Sequence, residues 1–475
     1  MDIGAIGWWG YDNQGDLAIL SALERGLAPH CVVPIAIGLP VHADALYRLN
    51  RLDYVILGGG TLISEKPCAP FDTFDQWAEQ LGCPIGVAGL GVDSVLEPYW
   101  PAVDALLNRA EFFYVRDRAS HNVLGGHAAA RVSPDLTFAY PLAQRDGHTV
   151  APANLPLCGV HIRSAGDLDP APWLETMAQL PVRIRGIPFS SFEVFGETAL
   201  LRQLDPACPA RFDAARYDGL DLMIGTAFHS ILFAVQAGIP VIAISYAPKV
   251  HSFMHETGLG RYLLAPDEHH KLPTLLNDVL AHRSEIALDL RRIRETLVHQ
   301  AQQTLEMMRL HIERRGPRPR RRGPKATIVV LNSGIACRDT ATLHSCVSQT
   351  YPNVDVLVSP TGESAPPPDA PSQAGVRIVD VAPGVSYGVR LQHAIEQAEG
   401  EYVTWVDGGD VFAKDAVDCL VSLLETDQSR DVVYTDYRVI DAEDRHLGHE
   451  SVPAPDRLFF FFSSRRRHTR CYRDW

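Results

Sequence analysis

The sequence predicts an α/β protein, with two Rossmann-like halves on parallel sheets followed by a partial third α/β domain. Three observations carry this. Short apolar runs alternate with helical stretches through residues 1–313, several runs are too apolar to have a wetted face, and a basic Pro/Gly-rich run precedes a fresh strand. Strands buried on both faces read as continuous apolar runs because helices cover the sheet on each side.

The expected strands are 3–9, 31–38, 54–60, 84–91, 112–117, 157–163, 222–227 and 240–246. A domain seldom runs far beyond about 200 residues, so these divide into halves 1–145 and 146–313. The break falls in the proline-rich stretch Tyr140–Pro156. Ligands of open α/β sheets bind at the carboxyl ends of the strands, so two facing halves put a site in the cleft between them. Residues 284–313 have helical periodicity, with Ile286, Leu288, Leu290, Ile293, Leu297, Leu305 and Met308 as the expected apolar face.

Arg314–Lys325, RRGPRPRRRGPK, holds three prolines, two glycines and seven basic residues. Prolines forbid a continuing helix and like charges repel, so this is a linker. It is also a candidate contact for anionic lipid headgroups, although a solvated spacer is the reading its composition favours. ATIVVLN (326–332) then opens the partial domain, expected over 326–457.

Composition excludes several classes. With 475 residues, 46% hydrophobic and 21% charged, the chain has enough apolar surface to fold. No apolar run reaches 18 residues, and Asp2 stands where a signal peptide would carry Lys or Arg. A cytoplasmic location is expected, with the inner face of the membrane as the contact open to the linker. A net charge of −14 disfavours nucleic acid as a partner but allows a small anion in a local basic pocket. Nine cysteines without a CxxC pair read as reduced thiols, neither a disulfide framework nor a zinc site.

Four constellations could carry chemistry. In GWWGYDNQGDLAILSAL (7–23), Asn13 and Asp16 stand where a strand yields to a helix, offering polar groups to a sugar or phosphate, or a helix cap. In LGGGTLIS (57–64), Gly58, Gly59 and Gly60 let backbone approach a ligand, or simply make a tight turn. Arg116 ends an apolar strand where it could hold a carboxylate or phosphate, or pair with Asp117; Asp135, after Pro134, reads as a turn or cap residue. In 221–259, His229 opens a helix beside Ser230, and the next strand delivers Tyr246 and Lys249. A His and a Lys from adjacent strand ends suit an anion and proton-transfer site. His251 and His255 lack a third ligand and read as non-metal.

Taken in order, these pieces resemble the polysaccharide pyruvyl transferase family over roughly residues 1–310. The likeness rests on GYDNQGD (Gly10–Asp16), the glycines Gly58–Gly60, Arg116-Asp117 with Ser120, Pro134-Asp135, VHIRS with Arg163, and His229, GIPV (238–241), Tyr246 and Lys249. One position departs: the family often has Arg two residues before the His, and Ala227 stands there. The resemblance implies a GT-B-like arrangement and transfer of the enolpyruvyl unit of phosphoenolpyruvate to a sugar, giving a pyruvate ketal. The acceptor would be a bacterial cell-surface polysaccharide or its lipid-linked precursor. Phosphoenolpyruvate would be the co-substrate, with no cofactor or metal. Arg116, Arg163, Ser230 and Lys249 would hold the donor, Asn13, Asp16 and the glycines would serve the acceptor or loop, and His229 would move the proton.

Residues 326–457 resemble the opening of a family 2 glycosyltransferase, a GT-A fold, through SCVSQTYPNVDVLV (345–358) and AIEQAEGEYVTWVDGGDVF (394–412). The family's metal-binding Asp-x-Asp reads Asp407-Gly408-Gly409 here, leaving Asp407 and Asp410 as carboxylates, and Leu391-Gln392 replaces Arg-Asn. A nucleotide-diphosphate site needs carboxylates to hold its metal, so an inactive remnant is expected. Phe459–Trp475, FFFFSSRRRHTRCYRDW, reads as a non-native tail starting near 458, the other reading being an amphipathic membrane-surface segment. Two rival functions stay open: a GT-B nucleotide-sugar glycosyltransferase and a non-catalytic carbohydrate-binding protein.

Overall fold

The computed structural model describes all residues except 10–12, 38–42, 70, 141–154, 165–167, 191–195, 319–322, 332–335, 361–375, 380–381, 383, 427–431, 434–436, 441–445, 451–461 and 465–475. The chain forms two compact units. One comprises Met1–Pro40 with Leu52–Pro317, the other Val41–Arg51 with Arg318–Trp475.

The first unit holds two parallel sheets. In the first, β1 (Asp2–Gly7), β2 (Cys31–Ala36), β3 (Tyr54–Gly58), β4 (Thr61–Ile63), β5 (Ile85–Val92), β6 (Ala110–Val115) and β7 (Ala130–Val132) run in the order β2-β1-β3-β5-β6-β7, with β4 on β5. The second is β12-β11-β10-β8-β9, from β8 (Leu157–His161), β9 (Arg183–Gly186), β10 (Leu222–Gly225), β11 (Val241–Ile244) and β12 (Leu263–Leu264). Every residue of β3, β5, β8, β10 and β11 is buried, as strands covered on both faces must be. The fold is therefore α/β with two Rossmann-like halves in a GT-B-like arrangement. The expected break between the halves lies largely outside the described residues.

Helix Arg283–Arg315 ties the halves together. Ile286, Leu290 and Ala301 enter the core of the second, and Leu305, Met308 and Ile312 that of the first. Leu288 corrects the expected face. It is 49% exposed, because it lies two residues from both Ile286 and Leu290, on the opposite side of a 3.6-residue turn.

The second unit is built on β13 (Ala326–Leu331), β14 (Val354–Ser359), β15 (Val376–Ile378), β16 (Tyr402–Asp407) and β17 (Val432–Val433), with a hairpin of β18 (Tyr437–Ile440) and β19 (His446–Glu450). It includes helix Ala43–Leu49, so the expected first half is interrupted at 41–51. Arg48 pairs with Asp415, and Arg51 Nε donates to Asp418 Oδ1 at 2.7 Å while its guanidinium covers the Tyr351 ring at 4.5 Å. Most of the expected non-native tail lies outside the described residues. Its Phe462–Ser464 forms β20, antiparallel to β16 and β17.

Candidate active site

A cavity of about 400 Å³ opens at the carboxyl ends of the strands of the first unit, and both halves line it. Asn13 caps helix Gln14–Gly26, its Oδ1 accepting from the Gly15 N–H at 3.1 Å. The cap reading of Asn13 holds, and the residue also lines the cavity. One turn on, Asp16 faces the cavity and is 4% exposed. Burial raises its carboxyl above the usual value, against the pull of His229 and Lys249.

The glycine turn divides by role. Gly60 has φ +77° and lines the cavity, and a β-carbon there would lie 3.0 Å from Asp16 Oδ1. Gly58 ends β3 against the Ala88 carbonyl and Gly59 packs on Trp9, so these two shape the turn without lining the cavity. Just past the turn, Thr61 Oγ1 accepts from Arg116 Nη2 at 2.6 Å and from Lys249 Nζ at 3.3 Å. Arg116 follows β6, is 5% exposed, and lays its guanidinium over Phe228 at 4.7 Å. Its expected contact with Asp117 also exists, at 3.5 Å. Lys249 opens helix Pro248–Glu256 after β11. Burial and the charge of Arg116 push its amine down to about 8, although Asp93 and Asp16 act the other way.

Arg163, two residues beyond β8, donates to the Tyr246 hydroxyl and lies 3.7 Å from Glu197 Oε1. Glu197 is 1% exposed. Burial works to raise its carboxyl, but His161, the Phe189 N–H and Arg163 outweigh this and hold it at about 2. Ala227, the position of the family's Arg, caps helix Phe228–Gln236 and lines the cavity without a cation.

His229 Nε2 stands 3.7 Å from Asp135 Oδ2, and neither atom has a hydrogen-bond partner among the described residues. The other Asp135 oxygen accepts from the Thr137 N–H at 3.0 Å. Burial would raise the Asp135 carboxyl, yet the imidazole and Arg116 hold it below the usual value. Asp135 is thus a cap, as its Pro-Asp context suggested, and also the imidazole's neighbour. Ser230 corrects the expected donor set. It is fully buried, its hydroxyl donates to the Ala227 carbonyl at 2.7 Å, and it does not line the cavity. His251 and His255 lie outside the lining too, with ring centroids 4.3 Å apart.

Asp135, Thr61, Glu197, Trp8 and Phe189 are site residues that the sequence reading did not select. Pro134-Asp135 was the one usable signal. Thr61 directly follows the glycines of LGGGTLIS but carried no signal of its own, and Glu197 belongs to no recognisable pattern; both become visible only through their contacts.

In the second unit, Asp407 Oδ1 accepts from the Tyr387 hydroxyl at 2.9 Å, and burial, then Asp407, raises the Asp410 carboxyl. Among the described residues no group of three His, Cys, Asp or Glu gathers there. Two carboxylates, one already accepting from a phenol, do not fit the metal that a family 2 glycosyltransferase implies.

Fold and site together define an α/β protein whose first unit carries a cationic cleft between two Rossmann-like halves. Residues 13–170 match the polysaccharide pyruvyl transferase family model, and residues 328–473 match glycosyl transferase family 2, in the order the resemblances predicted. The first match carries Asn13, Asp16, the glycines, Arg116, Asp135 and Arg163 but stops before His229 and Lys249. The second runs past the expected boundary at 457.

No curated protein sequence matches the chain. Among solved structures, it is similar to a mannosyltransferase, PcManGT from Pyrobaculum calidifontis, in complex with GDP-Man and Mn2+ (21% identity, 26% of this chain, 37% of that one, TM-score 0.23). It is also similar to a UDP-glucosyltransferase from Polygonum tinctorium (12% identity, 66% and 98%, TM-score 0.42) and to S. aureus MnaA with UDP (10%, 68% and 100%, TM-score 0.42). The chain spans little more than a third of the mannosyltransferase's length. No described helix is long and apolar enough to cross a membrane.

Proposed function

We propose that the first unit transfers the enolpyruvyl unit of phosphoenolpyruvate to a sugar diol, making a cyclic pyruvate ketal on a polysaccharide or its lipid-linked precursor. The observation that carries this reading is the joining of Arg116 and Lys249 at Thr61 Oγ1, in a cavity also lined by Arg163 and by His229, which Asp135 backs from outside the lining. A phosphate and a carboxylate on one small molecule call for such a set of cations.

The chemistry balances without redox. One acceptor hydroxyl adds to C2 of the enolpyruvyl group while C3 gains a proton. The second hydroxyl then replaces phosphate at C2; the phosphate leaves with the C–O bonding pair and takes up that hydroxyl's proton, while the first hydroxyl's proton makes good, through solvent, the one given to C3. His229 donates the proton to C3, with Asp135 Oδ2 placed 3.7 Å from its Nε2. Asp16, its carboxyl raised by burial, takes the proton of the acceptor hydroxyl. Arg116, Arg163 and Lys249 neutralise the donor and stabilise the departing phosphate.

The test is incubation with phosphoenolpyruvate and lipid-linked or synthetic sugars, following phosphate release and ketal formation. Consumption of a nucleotide sugar with no phosphate release would favour the glycosyltransferase reading. Glycan binding without any turnover would favour a carbohydrate-binding protein. A place at the inner face of the membrane, through the basic run 314–325, belongs to the same proposal, and co-sedimentation with anionic vesicles tests it.

A further inference from the structure

Glu197 contacts three walls of the cavity at once. Its Oε2 accepts from the N–H groups of Phe189 and Ser190, each at 2.9 Å. Phe189 in turn accepts from the Gln14 N–H at 3.1 Å, and Ser190 forms a bridge with Asn13. Through this turn, a carboxylate of the second half reaches the start of the first half's helix Gln14–Gly26, which carries Gly15 and Asp16. Its Oε1 faces Arg163 Nη1 at 3.7 Å and His161 Nε2 at 3.3 Å. His161 is fully buried, and its Nδ1 accepts from the Ala227 N–H at 3.2 Å and lies 3.0 Å from Thr226 Oγ1. Accepting at Nδ1 puts the ring proton on Nε2, toward Glu197. Ala227 is the N-cap of the helix that carries His229.

We propose that Glu197 is a positioning residue for the transfer reaction: it orients Arg163 directly, Asp16 through the 189–190 turn, and His229 through His161 and Ala227. This rests on the proposed phosphoenolpyruvate chemistry. A carboxylate in a cavity meant for an anion is unfavourable as a plain lining charge. It is kept anionic by the groups it holds, and those groups belong to all sides of the site.

Glu197→Gln separates the two roles. The amide keeps an oxygen for the two N–H groups but turns an NH2 toward the Nε2–H of His161 and the Arg163 guanidinium, donor against donor. As a lining charge, its loss would tighten binding of the donor anion. As a positioning residue, its loss lowers kcat by about 10–100-fold, because small misplacements of reacting groups are costly, and the donor Kd does not tighten.

The experiment measures kcat, KM and phosphoenolpyruvate Kd on the full chain, with the melting temperature as a folding check. A folded Glu197→Gln variant with wild-type kcat and a tighter Kd overturns the proposal. If that variant does not fold, His161→Ala tests the relay alone. It is expected to lower kcat while Kd stays within about threefold, since the Glu197–Arg163 contact remains. Unchanged kcat in folded His161→Ala overturns the relay to His229. A wild-type chain that neither binds nor consumes phosphoenolpyruvate defeats the reading of the site itself, a result distinct from either variant outcome.

Discussion

A β-carbon added at Gly15 would lie 1.8 Å from Nδ1 of His229. The first half's helix start and the second half's imidazole are therefore in direct contact, and only a residue without a side chain permits it. Gly15 sits in the first turn of its helix, where Ala would ordinarily stabilise by up to about 1 kcal/mol. Gly15→Ala should instead displace the imidazole and lower turnover at least about tenfold. Turnover and thermal melting on the same preparation check this; a more stable variant with full activity would remove His229 from the chemistry.

His229→Ala should cut turnover by about 10²–10⁴ while phosphoenolpyruvate affinity falls much less, as expected for loss of a general acid. Asp135→Asn should give a smaller loss in the same direction, because the ring loses the carboxylate oxygen that faces its Nε2. Steady-state kinetics with a separate donor-binding titration distinguish the two. Near-normal turnover in His229→Ala would return His229 to a helix-start residue.

Lys249 should make donor binding pH-dependent. Its amine, at about 8, loses its charge as pH rises through that value, so affinity should weaken above about pH 8. Between about 8 and 10.5 the folded chain binds one proton fewer at this site than the unfolded chain, so the group's contribution to stability rises with pH there. Lys249→Met should bind the donor weakly at every pH and lose this dependence. Calorimetric titration from pH 7 to about pH 9.5 reads both effects.

The second unit depends on helix Ala43–Leu49. Arg51→Ala would leave the Asp418 carboxylate, 8% exposed, without its partner. That should destabilise this unit by about 1–3 kcal/mol. A fragment starting at 318 lacks the same helix and should melt lower than the unit in the full chain. Differential scanning calorimetry of both checks the point.

The second unit should not act on nucleotide sugars. Asp407 and Asp410 gather no third carboxylate, His or Cys among the described residues, so the full chain with manganese should show no nucleotide-sugar binding that depends on Asp407. Loss of such binding in Asp407→Asn would show a working glycosyltransferase site.

Period and composition were enough to read the eight longer apolar strands of the first unit, the long helix and the order of the motifs, but not the short strands β4, β7, β9 and β12. Apolar runs such as YVILG and LMIG are short and bounded by turn residues, which reads as buried strands, and Pro/Gly runs end helices. Those are local properties, carried by neighbours in sequence. Asn13, Asp16, Gly60, Arg116, Arg163, His229 and Lys249 were legible because each follows a strand end, where this class of fold places its ligands. Tertiary structure alone decided the rest. It turned Ser230 inward onto Ala227, put Thr61 between two cations, and assigned residues 41–51 to the second unit. It also brought Glu197, Asp135 and His161 to their partners. The contacts of Glu197 with His161 and Arg163, of Asp135 with His229 and of His161 with Ala227 join residues dozens of positions apart, and such contacts depend on distances of a few ångströms that no spacing along the chain specifies.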